Sequence, residues 1–190
     1  MCVPLADILN CGLQTGHWPL IYKREYITPV PKQSPPQTMD MLRPISNLFI
    51  CDKILQKIIS EMIIEDMKAK LDKSQFGNQK NLSIQHYLVR MLNRILTSTD
   101  TNSKTEVNAV LCMFADLKQA YSRQDHTLGV QSFIENGVRP SLIPILISYF
   151  QDRSMQVKWH GKVSSPRDLP GSGAMGLNLG IWEFLSQTNS

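Results

Sequence analysis

The sequence is poor in the features that mark several protein classes. Its 190 residues hold four cysteines, Cys2, Cys11, Cys51 and Cys112, widely spaced and with no CxxC pair. That spacing argues against a disulfide framework and against a zinc site. Reduced thiols in an intracellular protein, cytoplasmic or nuclear, are the simple expectation. No apolar run reaches the roughly twenty residues of a membrane span, so no membrane partner is expected. No basic stretch leads into an apolar core at the N-terminus, so no secretory signal is expected either. Charge is modest, 19% of residues with a formal net of +4, a weak hint of a polyanionic partner. There is no internal repeat, no low-complexity tract and no Asp–Asp pair.

What is present can fold. Hydrophobic residues make up 42% of the chain, enough for a core in one domain or in a piece of a larger one. Val3, Leu5, Ile8, Leu9 and Leu13 recur at helical spacing, with Gly12 and Gly16 placed to end that helix. Tyr26–Ile27–Thr28 favours extended structure, and Pro29 and Pro31 forbid a helix there. Residues 33 to 41 form a loop by composition. A long helical pattern runs from about Asp52 to Leu71, with Ile54, Leu55, Ile58, Ile59, Met62 and Ile63 as its apolar stripe. A second covers Ser83 to Leu96, with Tyr87, Leu88, Met91, Leu92 and Ile95 facing in. The polar stretch Thr97 to Glu106 predicts a surface connector and a subdomain boundary.

Beyond it, Val107 to Ala115 predicts a buried strand. Helices are predicted near 125 to 136 and 140 to 151, the latter tolerating Pro140 in its first turn. A hairpin turning at His160–Gly161 and a helix from Asn178 complete the pattern. Helices mixed with short strands give an α+β fold class.

Asp116 follows the predicted strand directly. A carboxylate held rigidly at a strand end can hold a metal ion at a cleft, or it can cap the next turn. Tyr121 reads equally as a packing aromatic, and Lys32 and Arg43 as solvated side chains. The Gly-rich run Leu169 to Gly176 lacks the Lys–Ser/Thr end of a nucleotide P-loop.

Taken in order, these segments resemble the reverse transcriptase domain of non-LTR retrotransposons. WPLIYKREYITPVPK, with Lys32, looks like the first fingers motif. MDMLRPISNLFICDKILQKII looks like the second, centred on Leu42 to Ser46. SQFGNQKNLSIQHYL looks like the third, through Gln75, Phe76, Gly77 and Ser83. MFADLKQAYSRQDH resembles palm motif A, and RDLPGSGAMGLNLGIWEFLSQTN resembles motif B.

The resemblance implies a right-hand polymerase fold fragment, with fingers over residues 1–100 and an incomplete palm over 101–190. Asp116 would be the catalytic carboxylate and Mg²⁺ ligand. Lys32 and Arg43 would face the nucleotide triphosphate, and Tyr121 would exclude a ribose 2′-hydroxyl. Gly173 and Gly176 would let backbone approach template and primer. RNA template, DNA primer and deoxynucleotides are the implied partners. Tyr121 at the gate favours DNA over RNA synthesis, and intron maturases and telomerase stay as distant alternatives.

The chain departs from the family pattern at three places. Tyr121–Ser122–Arg123 replaces aromatic–Asp–Arg, and Ala174–Met175–Gly176 replaces Pro–Gln–Gly. The paired aspartates of motif C are absent from these 190 residues. The expectation is therefore an RNA-directed DNA polymerase domain that is truncated and inactive alone. The alternatives are a non-catalytic module holding nucleic acid through Lys23, Arg24, Lys32, Arg43 and Lys80, or a relic without selected activity.

Overall fold

In the computed structural model, residues 2–79, 81–100, 109–117, 124–169 and 178–189 are described. The extended segment around Ile27 forms strand β1 (Arg24–Pro31). It pairs antiparallel with β2 (Leu42–Asn47), placing Val30 opposite Arg43 and Pro31 opposite Leu42. On its other side β1 runs parallel to β3 (Ser154–Trp159), from Arg24 opposite Ser154 to Ile27 opposite Val157. Pro29 and Pro31 lie past the end of that second ladder. There β1 has one neighbouring strand among the described residues, and a missing N–H is tolerated.

Two short strands, β4 (Lys162–Val163) and β5 (Arg167–Asp168), pair antiparallel with the far edge of β3. The turn between β3 and β4 has positive φ at both His160 and Gly161, 46° and 79°. A two-residue hairpin with that pair of angles matches the right-handed strand twist. The hairpin expected at His160–Gly161 is therefore present.

Six α-helices are described. They are α1 (Cys2–Thr15), α2 (Ile50–Met67), α3 (Ile84–Thr99), α4 (His126–Glu135), α5 (Ile143–Phe150) and α6 (Asn178–Gln187). Helix α4 starts where Asp125 accepts hydrogen bonds from the N–H groups of Thr127 and Leu128, an N-cap that satisfies otherwise orphaned donors. Helix α5 follows a 3₁₀ turn at Pro140–Leu142. The mixture of helices and one sheet is the α+β class expected.

The chain divides into two compact units. The first joins residues 1–70 to 119–190, so segments from both halves of the sequence share one core. That core comprises Ile59, Ile63 and Met67 of α2, Phe133 of α4, Leu146 and Tyr149 of α5, and Leu179 and Leu185 of α6. The buried face of α2 shares Leu55, Ile59 and Ile63 with the expected stripe but is rotated from it. It carries Asp52, Gln56 and Ser60 beside Leu55, Ile59 and Ile63, while Ile54 is exposed.

The second unit, residues 71–118, is built around α3. Phe76 meets Tyr87 edge-on, ring centroids 5.8 Å apart, and Arg90 lies over the Phe76 ring. The Arg90 guanidinium also donates to the Lys73 carbonyl at 2.8 Å. The helix begins at Ser83, whose N–H donates to Nδ1 of His86 at 3.2 Å. Phe76 and Ser83, singled out in the sequence, thus organise the approach to α3. No α3 residue is buried, however, so the inward face expected at Tyr87, Leu88, Met91, Leu92 and Ile95 is not a core face.

The strand expected over 107–115 is also corrected. Residues 109–117 have no regular structure, and Leu111 and Phe114 are 94% and 77% exposed; residues 107 and 108 lie outside the described residues. A strand exists only with a ladder partner for its N–H and C=O groups, and no described strand pairs with this run.

Candidate nucleic-acid interface

The ribbon of β1 and β2 is positioned by a buried ionic knot. Glu25 points inward from β1, and its Oε1 accepts from Nε of Arg153 at 2.9 Å and from the Arg153 Nη2 group. Its Oε2 accepts from the Ser46 hydroxyl at 3.0 Å. One carboxylate therefore ties β1 to β2 and to the residue that precedes β3. Arg153 also lies over the Tyr149 ring, 4.4 Å from its centroid, and donates to the Tyr149 carbonyl.

Next to this knot lies Asp52, the first acid of α2. Its two oxygens accept from the Trp18 indole N–H at 3.0 Å and from the Gln56 amide at 2.9 Å. Burial pushes its carboxyl up to about 6, although Arg153 and both hydrogen bonds pull the other way. Trp18 in turn meets Tyr149 edge-on at 4.8 Å. Sequence reading did not single out Glu25, Asp52 or Arg153. The one available signal was an acid or base standing at an inward-facing strand or helix position.

With Glu25 and Ile27 turned in, the alternate residues of β1 turn out. Val30 is opposite Arg43, so Lys32, two residues further on, shares a face with Arg43. The Lys32 N–H continues the ladder to the Met41 carbonyl at 2.7 Å. Diagonal neighbours of this kind are about 7–8 Å apart. Lys32 and Arg43 are both exposed, and the structure brings these two expected residues together. Arg24 and a partly exposed Tyr26 lie on the same face.

Lys23 is different. It was expected among the phosphate-facing cations, yet it is only 5% exposed. The 3₁₀ turn Leu20–Lys23 rolls it inward, where its ammonium donates to the Ser148 hydroxyl at 3.4 Å. Burial lowers its pKa, partly offset by Asp152.

Asp116 is exposed, in the irregular run of the second unit. Tyr121, Gly173, Gly176 and Lys80 lie outside the described residues. Among the described residues, no three His, Cys, Asp or Glu side chains converge in a way that could hold a metal ion. These residues therefore do not fit a two-metal centre. Among them, too, no helix is long and apolar enough to cross a membrane.

The helix that follows the Gly-rich run is firmly seated. Glu183 of α6 is fully buried and meets Nδ1 of His126 at 2.8 Å. Burial raises its pKa, and the contact with His126 opposes that rise. Gly129 makes room for it: a Cβ there would stand 2.6 Å from Cγ and 2.8 Å from Cδ of Glu183. Gly129→Ala is expected to destabilise the fold by about 1–3 kcal/mol through overpacking. Chemical denaturation would show this as a lower midpoint, and an unchanged midpoint would mean that α6 yields without cost.

No protein-family model matches the chain. It is similar to the probable RNA-directed DNA polymerase from transposon X-element of Drosophila melanogaster, 26% identical over 176 residues. That match covers 91% of this chain and 19% of the relative. It is also similar to the probable RNA-directed DNA polymerase from transposon BS of the same species, 28% identical over 179 residues, covering 93% of this chain and 19% of that protein. The chain thus spans about a fifth of the length of the curated relatives it matches.

Proposed function

We propose, from the premise that this chain is a stretch of the reverse transcriptase of a non-LTR retrotransposon, that it forms the fingers and part of the palm of an RNA-directed DNA polymerase. In this reading Lys32 and Arg43 face the triphosphate, Asp116 belongs to the metal-binding edge, and Tyr121 sits beneath the incoming sugar. Gly173 and Gly176 lie against template and primer. The similarity over more than nine-tenths of the chain carries the reading. The exposed pair on the β1–β2 ribbon supports it, because two cations on one stiff face suit a polyphosphate.

Phosphoryl transfer depends almost wholly on metal placement and charge stabilisation. With a single motif A carboxylate, these 190 residues are expected to bind nucleic acid and not to extend a primer. Two assays test this. Primer extension on an RNA template with Mg²⁺ and deoxynucleotides, with Asp116→Ala as control, should show no product; product that disappears in the control would overturn the inactive reading. Salt-titrated binding to single-stranded RNA should be lost steeply as salt rises. Lys32→Ala/Arg43→Ala should flatten the log–log slope by about 1.4, at roughly 0.7 per phosphate contact. Binding that ignores salt would sink the proposal.

A further inference from the structure

We infer that the exposed strip on the β3–β4 hairpin is a second contact for single-stranded nucleic acid, with Trp159 stacking on a base and Lys162 and Arg167 following the backbone along the same face. The inference rests on the nucleic-acid reading above but uses the other side of the sheet from Lys32 and Arg43. Val157 is opposite Ile27, so Met155, Val157 and Trp159 share the inward face of β1. Ile27 is buried there, but the strip emerges into solvent towards the turn, where Trp159 is 44% exposed.

On β4 and β5 its neighbours include two cations. Lys162 is directly opposite Trp159, and Arg167 is directly opposite Met155. Four residues of strand separate those two registers, about 13 Å. Both cations are exposed, and Asp168, which follows Arg167, is opposite Ser154 and so lies on the other face. The His160 ring stands against the indole, centroids 4.7 Å apart at 87°. One ring can take a base flat while the other buttresses it.

An apolar patch alone would fit many partners. An exposed indole with one cation directly across from it and a second further along the same face, Asp168 turning to the other face with Ser154, fits a chain that alternates planar bases with phosphates. A duplex keeps its bases stacked internally and offers the indole nothing to stack on.

The test uses the whole chain and one sequence as single-stranded RNA, single-stranded DNA and duplex. Trp18 and Trp182 are buried, so quenching of tryptophan fluorescence on binding reports Trp159. Either single strand, or both, should quench it, and the two arms reveal which sugar is preferred. Trp159→Ala should abolish quenching and weaken binding roughly tenfold, while Trp159→Phe keeps most of the affinity. Lys162→Ala/Arg167→Ala should lower the salt slope by about 1.4. If single strands bind without quenching and Trp159→Ala binds as tightly as the native chain, the hairpin contact is wrong. The ribbon reading would then survive, provided Lys32→Ala/Arg43→Ala still weakens binding. If the native chain binds no single strand at all, both fail.

Discussion

Arg153→Met should cost about 3–5 kcal/mol of stability, the largest loss expected from one substitution in the first unit. The methionine keeps much of the volume, so the loss comes from charge. It leaves the Glu25 carboxylate fully buried with the Ser46 hydroxyl as its remaining partner. An uncompensated charge in that position carries the full desolvation cost. The guanidinium's place over the Tyr149 ring is lost as well. Total stability of a domain is typically about 5–15 kcal/mol, so the single variant will sit near the edge of folding. Adding Glu25→Gln should restore part of the loss, because a buried amide is cheaper than a buried anion. Denaturant melts of the two single variants and the double give the coupling directly. If the double loses the sum of the singles, the pair does not act as a unit.

Asp52→Asn should move stability the other way. The Asp52 carboxyl is pushed up to about 6 in the folded chain, against 3.8 without burial. Its folded-state affinity for a proton exceeds the unfolded one, so ionisation opposes folding. Stability from this group is greatest below pH 4. It declines as pH rises from about 4 to 6, and the cost is complete above pH 6. A shift of roughly two units corresponds to about 3 kcal/mol. The asparagine removes that cost. Its Nδ2 needs an acceptor, and a half-turn of the Gln56 amide presents Oε1, which has no hydrogen-bond partner among the described residues. That turn leaves Gln56 Nε2 unpaired, at about 1 kcal/mol. The expected net gain is therefore about 1–2 kcal/mol at pH 7. Unfolding midpoints measured from pH 4 to 8 should fall less steeply in the variant. A variant that tracks the native chain across that range would show that Asp52 does not titrate there.

Both predictions concern residues that periodicity could not see. Counting apolar positions placed α2 to within a few residues and found Leu55, Ile59 and Ile63 on its buried face, but it missed the polar side of that face. Ile54 is outside, and Asp52, Gln56 and Ser60 are inside. A pattern of apolar residues cannot register a polar face whose partners, such as the Trp18 indole, come from more than thirty residues away. The hairpin at His160–Gly161 was legible because its turn chemistry is local. The run from Val107 failed for the opposite reason: its composition suits a strand, yet a strand is decided by its neighbour.

Among the candidate site residues, spacing alone said nothing about Lys32 and Arg43. The resemblance suggested them, and the register of β1 with β2 then put them on one face. Lys23 looked just as eligible in the sequence. Its inward turn depends on Ser148, which lies 125 residues further along the chain.

The parallel pairing of β1 with β3 has a consequence for synthesis. Glu25 leaves the ribosome long before its guanidinium partner, because 128 residues separate the two. At about 5–20 residues per second, that gap lasts roughly 6–25 s. During it, β1 and β2 can form a ribbon, but the side of β1 destined for β3 is an open edge and Glu25 must stay in water. The N-terminal third of the chain therefore waits for a late strand before its core can close. Any nascent chain halted short of Arg153 carries that unsatisfied edge with it.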